Sequence, residues 1–283
     1  MRQDNSEQAE FWTAQAGEKW VDQQALLDAL MQPVLDGVLA RAQLRPGDSV
    51  LDIGCGTGAS TLHAADQVGE AGQVLGVDIS PTMLRLAKSR MAGRDHVAFA
   101  EADAAHFAFE HGRFDHLISR FGVMFFADPE AAFTNMRKGL KPGAYVTFAS
   151  WGPFPRNPWF RLAVEAAKDV LGAPPSVDPD APGPFAFRDV PRVQEILTRA
   201  GLVAVEAEVA KVALTPPGTR SEVAAMATSI GPAARTVEYF QGSAEDSAAI
   251  TAKVDAALAS YVTAEGVRVP AEINFFRARC PSN

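Results

Sequence analysis

The sequence predicts an α/β protein whose sheet is mostly parallel and is covered by helices on both faces. Two observations predict this fold class. Between residues 45 and 151, short apolar runs alternate with longer stretches of helical periodicity. Two of the helical stretches begin with a capping residue followed by proline, Ser80-Pro81 and Asp128-Pro129, as helices commonly do. Strands and helices that alternate in this way pack as a parallel sheet between two helical layers.

The elements of this half follow one another at short intervals. The turn Arg45-Pro46-Gly47-Asp48 precedes the first strand. Short apolar runs predict strands at residues 49–53, 74–78, 97–100, 114–119 and 144–150. Helical periodicity predicts helices at residues 59–68, 81–91 and 129–140.

The flanking segments have a different rhythm and define the predicted domain organisation. Residues 1–44 have helical periodicity, and we interpret them as an N-terminal helical lid on the core at 45–151. Residues 152–188 carry many prolines around one helix, which predicts an insertion over the active site. Residues 189–283 would complete the core with a helix, a strand at 203–209 and a last β run at 271–280. A helical insertion of two alanine-rich helices is predicted there at about 219–262.

Composition and charge exclude several classes of protein. Acidic residues outnumber Lys and Arg by 34 to 26, and the sequence pI is about 5.2, which disfavours a nucleic-acid partner. The two cysteines predict no disulfide framework, and no histidine pair has metal-ligand spacing, so we expect no metal. The N-terminus lacks the apolar core of a signal peptide, and no apolar run is long enough to span a bilayer. The sequence therefore predicts a cytoplasmic protein without a membrane span, of undetermined oligomeric state.

The strongest motif is the run Asp52-Ile53-Gly54-Cys55-Gly56-Thr57-Gly58, between the first strand and the first helix of the core. Its glycines permit positive φ angles and allow a ligand to lie directly on the backbone. The spacing differs from the G-x-G-x-x-G pattern of dinucleotide-binding enzymes, because the third glycine comes one residue earlier. A carboxylate before the loop would also disfavour an anionic pyrophosphate and attract a cationic ligand.

This run resembles the first motif of class I S-adenosylmethionine (SAM)-dependent methyltransferases, which have a Rossmann-like fold. Two further acidic residues lie where that family has conserved acids: Asp78 ends the second strand, and Asp103 follows the third. The resemblance implies SAM as cofactor, with Asp78 on the ribose hydroxyls, Asp103 on the adenine amino group and the backbone of Ala104 on a ring nitrogen. The cofactor-binding residues predicted in this way are Asp52, Gly54, Gly56, Gly58, Asp78, Ile79, Asp103, Ala104 and Ser119.

The resemblance extends over residues 44–151 and is strongest to bacterial ubiquinone- and menaquinone-biosynthesis-type methyltransferases. The opening Phe11-Trp12 and Gly17-Glu18-Lys19-Trp20 suggest the same relatives. The family pattern implies that the last strand, at 271–280, runs antiparallel to the others. It also implies a small-molecule acceptor, with an aromatic or apolar compound and methylation at carbon or oxygen favoured.

The resemblance does not name a catalytic residue, because an aligned, activated donor needs little further help. Arg120, Phe121 and Trp151 follow the fourth and fifth strands, and we predict that they contact the acceptor. Arg120 and His106 are the candidates for a catalytic role. Cys55, inside the glycine loop, is read as a compact filler or, alternatively, as a reactive thiol.

Three other functions remain open from the sequence. A non-catalytic SAM-binding protein would share the cofactor motifs, and an NAD-dependent oxidoreductase would share the strand, the loop and the following acid. Enzymes that methylate base amino groups carry an Asn/Asp-Pro-Pro-aromatic motif after the fourth strand. That place reads Ser119-Arg120-Phe121-Gly122 here, which disfavours a nucleic-acid methyltransferase.

Overall fold

A computed structural model describes residues 5–176 and 178–282 of the chain. The predicted segments 1–44, 152–188 and 189–283 therefore each include positions outside the described residues, namely 1–4, 177 and 283. Within the described part, no helix is both long and apolar enough to cross a membrane.

A seven-stranded sheet forms the centre of the described structure. Its strands are β1 (Ser49–Ile53), β2 (Gln73–Asp78), β3 (Val97–Glu101), β4 (Phe114–Arg120), β5 (Leu140–Trp151), β6 (Val203–Leu214) and β9 (Val269–Arg279). Their order is β3-β2-β1-β4-β5-β9-β6. The first five strands pair in parallel, whereas β9 lies between β5 and β6 and is antiparallel to both. The prediction of a mostly parallel sheet with an antiparallel last strand is confirmed. A short hairpin, β7 (Val262–Thr263) and β8 (Gly266–Val267), lies outside this sheet.

Helices surround the sheet and form a cap beside it. They are α1 (Ser6–Thr13), α2 (Gln15–Asp22), α3 (Gln24–Ala42), α4 (Ala59–Val68), α5 (Pro81–Arg90), α6 (Pro129–Arg137), α7 (Pro158–Leu171), α8 (Val190–Arg199), α9 (Arg220–Ser229), α10 (Gly231–Tyr239) and α11 (Ala244–Leu258). The two predicted cap-plus-proline starts are present. The Ser80 hydroxyl accepts from the Met83 N–H at 3.2 Å, and Asp128 Oδ1 accepts from the Ala131 N–H at 3.0 Å.

Two neighbouring phenylalanines in β9 show that helices cover both faces of the sheet. Successive side chains of a strand point to opposite faces. The Phe275 ring packs so close to Gly37 of α3 that a Cβ there would lie 2.6 Å from it. The Phe276 ring stacks on Phe148 of β5, whose ring is 5.6 Å from that of Phe133 in α6. Helix α3 therefore covers one face and α6 the other, as the sequence predicts.

The helical region at 219–262 contains three α-helices, not the two predicted. Helix α9 ends at Ser229, and α10 begins at Gly231, where φ is +69°, followed by Pro232. The second break lies at Ser243, whose side chain and Asp246 form a reciprocal capping box that starts α11. The alanine-rich composition favours helix throughout this region, so composition alone did not predict where the helices end.

Two groups of helices lie beside the sheet: the cap, which consists of α7, α9, α10 and α11, and the N-terminal pair α1 and α2. Helix α7 packs against α10 and α11, and α11 also packs against α9. At the other end of the chain, α1 and α2 pack against α5, which follows β2. Both groups contribute side chains to the same cavity.

Candidate active site

A cavity of about 360 Å³ lies at the ends of β1, β2, β4 and β5. Its wall includes the glycine loop after β1, Asp78 at the end of β2, the segment Ala102–Asp103–Ala104 after β3, and Trp151 at the end of β5. Ligands of open parallel sheets bind at this edge, outside the carboxyl ends of the strands. Its size lies within the range of ordinary small-molecule sites.

The glycine loop has a backbone conformation that few other residues adopt. Gly54, Gly56 and Gly58 have φ angles of +64°, +54° and +87°. Gly54 also lies directly against Gly122, so that a Cβ on Gly54 would approach the Gly122 Cα to 2.5 Å. Gly54 and Gly56 line the cavity, whereas Gly58 packs against Ala87 of α5 instead. Side chains are therefore disfavoured at these three positions, both where the loop faces the cavity and where it packs against α5.

Asp78 places a buried carboxylate on the cavity wall. Its Oδ2 accepts from the Gly56 N–H at 2.7 Å, and its Oδ1 accepts from the Ser80 N–H at 2.9 Å. Burial raises the pKa of Asp78 to about 6, although these backbone donors oppose the shift. Each oxygen retains a lone pair that can accept from a ligand hydroxyl. Ile79, the next residue, also lines the cavity.

Asp103 and Ala104 lie on the same wall, next to the N-terminal segment. Asp103 Oδ1 accepts from the Ala105 N–H at 2.9 Å and from the Asn5 side-chain amide at 2.8 Å. The side-chain oxygen Oδ1 of Asn5 in turn accepts from the Ala127 N–H at 2.8 Å. Asn5 therefore ties the segment before α1 to two loops at the cavity, a role that sequence inspection missed.

Two predicted cofactor residues lie behind the cavity wall and do not line it. Asp52 is fully buried, and its Oδ2 accepts from the hydroxyls of Ser60 and Thr61 in α4, each at 2.6 Å. Burial raises the pKa of Asp52, and those two hydrogen bonds oppose the shift. Ser119 donates to the Ile53 carbonyl at 2.7 Å and accepts from the Gly122 N–H. Asp52 therefore fixes the end of β1 to α4, and Ser119 fixes the end of β4 to that of β1.

Phe121 and Trp151, predicted to contact the acceptor, form one side of an aromatic cluster. Their rings stack with centroids 4.4 Å apart and an interplanar angle of 5°. Phe121 has a φ of +66°, a strained conformation for an aromatic residue and one that is characteristic of functional sites. Phe160 of α7 packs edge-on against Trp151 at 4.9 Å. These rings line the cavity together with Trp159, and Ile230 and Pro232 at the start of α10 add to it.

The predicted catalytic candidates have contrasting positions. Arg120 lines the cavity and is buried. The His106 side chain is half exposed, lies 3.9 Å from Asp103 Oδ2 and does not line the cavity. All five histidines fall within the described residues, and none of them lines the cavity.

Burial raises the pKa of the Cys55 thiol well above its usual value, which disfavours a reactive thiolate. Residues 5–176 and 178–282 contain no group of three or more His, Cys, Asp or Glu side chains that could hold a metal ion.

Comparison with known proteins identifies the segment that carries the glycine loop, Asp78 and Asp103. Residues 50–143 match the family model described as a methyltransferase domain. The sheet order and the position of the cavity agree with that match. This part of the chain is therefore similar to the class I SAM-dependent methyltransferases. Demethylmenaquinone methyltransferase of Staphylococcus aureus is 36% identical over 103 residues, which are 36% of this chain and 43% of that relative. The chain therefore covers less than half the length of the curated relatives that it matches.

Solved structures resemble a larger part of the chain, at lower sequence identity. A chain of the complex between the Haloferax volcanii Trm112 methyltransferase activator and a putative methyltransferase has a TM-score of 0.58 at 18% identity. That alignment covers 95% of this chain and 99% of the other. Phosphoethanolamine N-methyltransferase 2 of Haemonchus contortus, in complex with phosphomonomethylethanolamine and S-adenosylhomocysteine, has a TM-score of 0.54 at 23% identity. The alignment covers 88% of this chain and 52% of that chain. These likenesses support the fold.

Arg90 supports the glycine loop from behind, and this contact yields a testable prediction. Its Nη1 donates to the Thr57 carbonyl at 2.7 Å, and its Nη2 pairs with Asp28 Oδ2 at 2.8 Å. We expect Arg90→Met to weaken binding of S-adenosylhomocysteine about tenfold, because the loop loses a charge-assisted hydrogen bond. Arg94→Met is the matched control, since Arg94 pairs with the half-exposed Asp66. Calorimetric titration of both variants checks the expectation, and equal affinities would contradict it.

Proposed function

We propose that this chain binds SAM and transfers its methyl group to a small aromatic or apolar molecule. One observation carries the proposal. A single cavity joins the glycine loop and the carboxylates Asp78 and Asp103 to the aromatic cluster around Phe121 and Trp151. A donor on the loop and an acceptor among the rings would therefore meet without crossing solvent.

The donor end of the cavity suits an adenosyl group joined to an amino acid. Asp78 offers two oxygens for the ribose hydroxyls, and Asp103 offers a carboxylate oxygen for the adenine amino group, with the Ala104 backbone beside it. The positive-φ glycines leave room for the rest of the ligand against the backbone at Gly54 and Gly56. These assignments extend the family resemblance to residues that share one wall.

The acceptor end would act by alignment and by exclusion of water. SAM supplies a methyl group already activated on a sulfonium, so the chain's residues need only orient the nucleophile in line with it. The rings of Phe121, Trp151, Trp159 and Phe160 present flat apolar surfaces that suit an aromatic acceptor. As the family resemblance implies, a carbon or oxygen atom of such a compound would be the nucleophile. The curated relative is named demethylmenaquinone methyltransferase.

The N-terminal helices would close the donor end as a lid. The Ser80 hydroxyl donates to the Trp12 carbonyl at 2.7 Å, and the Thr82 hydroxyl donates to the Thr13 carbonyl at 3.1 Å. The Trp12 ring packs edge-on against Trp20 and Phe125, which line the cavity with it. These contacts join α1 and α2 to the start of α5, so that bound SAM would be shielded from water.

Separate titrations distinguish the proposal from its two rivals. We expect calorimetry to show binding of SAM and S-adenosylhomocysteine and no binding of NAD, the ligand of the oxidoreductase alternative. Radiolabelled methyl-SAM, incubated with a panel of phenols, quinols and apolar amines, then tests transfer. Label in an aromatic or apolar product supports the proposal. Binding of SAM without transfer to any panel member would favour the non-catalytic SAM-binding protein, and NAD binding alone would overturn both.

Phe160 allows a test of the acceptor pocket that leaves the donor end intact. The Phe160→Ala variant removes a ring from the cavity wall, so we expect the acceptor KM to rise about tenfold with little change in the Kd for S-adenosylhomocysteine. Phe154→Ala is the matched control. Phe154 is half-buried in the same insertion and, like Phe160, packs edge-on against Phe185, but it does not line the cavity. Equal KM values for the two variants would contradict the assignment.

A further inference from the structure

We propose that Arg120 binds the carboxylate of the amino-acid end of the donor, rather than the acceptor. The inference deepens the proposed function and rests on it. The Arg120 guanidinium is buried and makes no hydrogen bond within the described residues, and it lies beside the loop on which the donor would lie.

The strand register places Arg120 next to the glycine loop. In the parallel pair of β1 and β4, Ile118 is opposite Asp52, so Arg120 lies two residues further along, beside Gly54 and on the same face as Ile118. The ends of the two strands are locked together by the bond from Ser119 Oγ to the Ile53 carbonyl. Arg120, Gly54 and Gly56 all line the one cavity.

The partners of Arg120 do not satisfy its guanidinium. The side chain is 9% exposed, and its nearest carboxylate oxygen, Asp28 Oδ1, lies 3.9 Å from Nη2, too far for a hydrogen bond. Nη1 is buried and has no hydrogen-bond partner. A buried cation that is incompletely hydrogen-bonded is costly, so the observed arrangement favours a ligand that completes it.

Each carboxylate near Arg120 has its Oδ2 engaged elsewhere, whereas the Oδ1 of Asp28 and of Asp52 is buried and makes no hydrogen bond, to Arg120 or to any other group of the described residues. Asp28 Oδ2 accepts from Arg90 and from Gln24, and Asp52 Oδ2 accepts from Ser60 and Thr61. Arg90 has two partners of its own, Asp28 and the Thr57 carbonyl. Of these four charged groups, Arg120 is the one that reaches the cavity. A carboxylate entering there would meet the exposed part of a guanidinium that makes no hydrogen bond within the described residues, and arginine can bind such a group in bidentate fashion.

The donor supplies that carboxylate at the correct end. Its adenosyl part is assigned to Asp78 and Asp103, at the ends of β2 and β3, and the glycine loop separates these from Arg120 on β4. A ligand spanning from β3 across β1 to β4 would therefore bring its amino-acid end to Arg120. The acceptor's aromatic contacts lie beyond it, on Trp151 and the cap helices.

A ligand pair that differs only in the carboxylate tests this assignment. S-adenosylhomocysteine carries the carboxylate, and its decarboxylated analogue keeps the amine, the sulfur and the adenosyl group. We expect the wild-type protein to bind S-adenosylhomocysteine about 30-fold more tightly than the analogue, as a charge-assisted bidentate contact implies. In Arg120→Gln, that preference should fall to about threefold or less, because Gln lacks the charge. Arg120→Lys should be intermediate, since it keeps the charge without the fork.

Arg235 also lines the cavity but on α10, so Arg235→Gln should keep the full preference for the carboxylate. The same preference in wild type, Arg120→Gln and Arg120→Lys would overturn the proposal. An unchanged Kd with a raised acceptor KM would instead assign Arg120 to the acceptor. If Arg120→Gln does not fold, the comparison of Arg120→Lys with Arg235→Gln decides. If wild type binds neither ligand, the proposed function itself fails, which is a distinguishable result.

Discussion

Gly54→Ala is expected to weaken binding of S-adenosylhomocysteine by at least about 100-fold and to destabilise the fold by roughly 2–4 kcal/mol. Two causes combine at this position. The φ of +64° is unfavourable for alanine, at about 1–2 kcal/mol. The new Cβ would also lie 2.5 Å from the Gly122 Cα, so that the ends of β1 and β4 must separate. The cavity wall is built on that contact, and the loop would therefore lose its shape.

Two other glycines separate the causes. Gly47 has a φ of +90° and nothing within 4 Å of its Cβ position, so Gly47→Ala carries the backbone cost alone. Gly122 has a φ of −80°, which alanine adopts freely, but its Cβ would lie 2.5 Å from the Ile53 carbonyl oxygen. We expect Gly47→Ala to lower stability without changing the Kd, and Gly122→Ala to weaken binding through contact alone. Thermal unfolding and calorimetry measure both quantities, and wild-type affinity in Gly54→Ala would contradict the interpretation.

The parallel core was predictable because its information is local. Each strand is a short apolar run, and each following helix begins at a capping residue or a glycine, so alternation determined the fold class and the edge that carries Asp78 and Asp103. The resemblance supplied what periodicity does not, the antiparallel orientation of β9. These features require no knowledge of distant contacts.

The aromatic side of the cavity, where an acceptor is proposed to bind, was less predictable because it depends on long-range packing. Phe160 lies in an insertion and Ile230 in the cap, and only the packing of α7 against α10 brings them to one cavity. Asn5 reaches Asp103, 98 positions along the chain, without any motif that announces the contact. Asp52 was predicted from the motif to contact the cofactor. Its burial beneath α4 follows from the hydroxyls of Ser60 and Thr61, which resemble ordinary helix residues in the sequence.

Binding of S-adenosylhomocysteine is expected to weaken about tenfold for each pH unit below about pH 6, until the pKa of Asp78 in the complex is reached. Burial raises the pKa of Asp78 in the free protein to about 6. Ribose hydroxyls that donate to the carboxylate would favour its charged form, so the pKa in the complex lies lower and binding at acidic pH must release a proton. Calorimetry between about pH 5 and pH 7.5 measures this slope.

The free protein should respond to pH in the opposite direction, which makes the Asp78 prediction specific. A carboxyl whose folded pKa lies above its unfolded value contributes stability below the unfolded value, and this contribution is lost as pH rises through about 6. Asp78→Asn removes the titration while retaining Asp52 and Asp103. We therefore expect this variant to bind about 10- to 100-fold more weakly than wild type near pH 7.5, to lose most of the pH slope and to approach wild-type affinity near pH 5. A wild-type slope that persists unchanged in Asp78→Asn would assign the titration to another group and remove Asp78 from the ribose site.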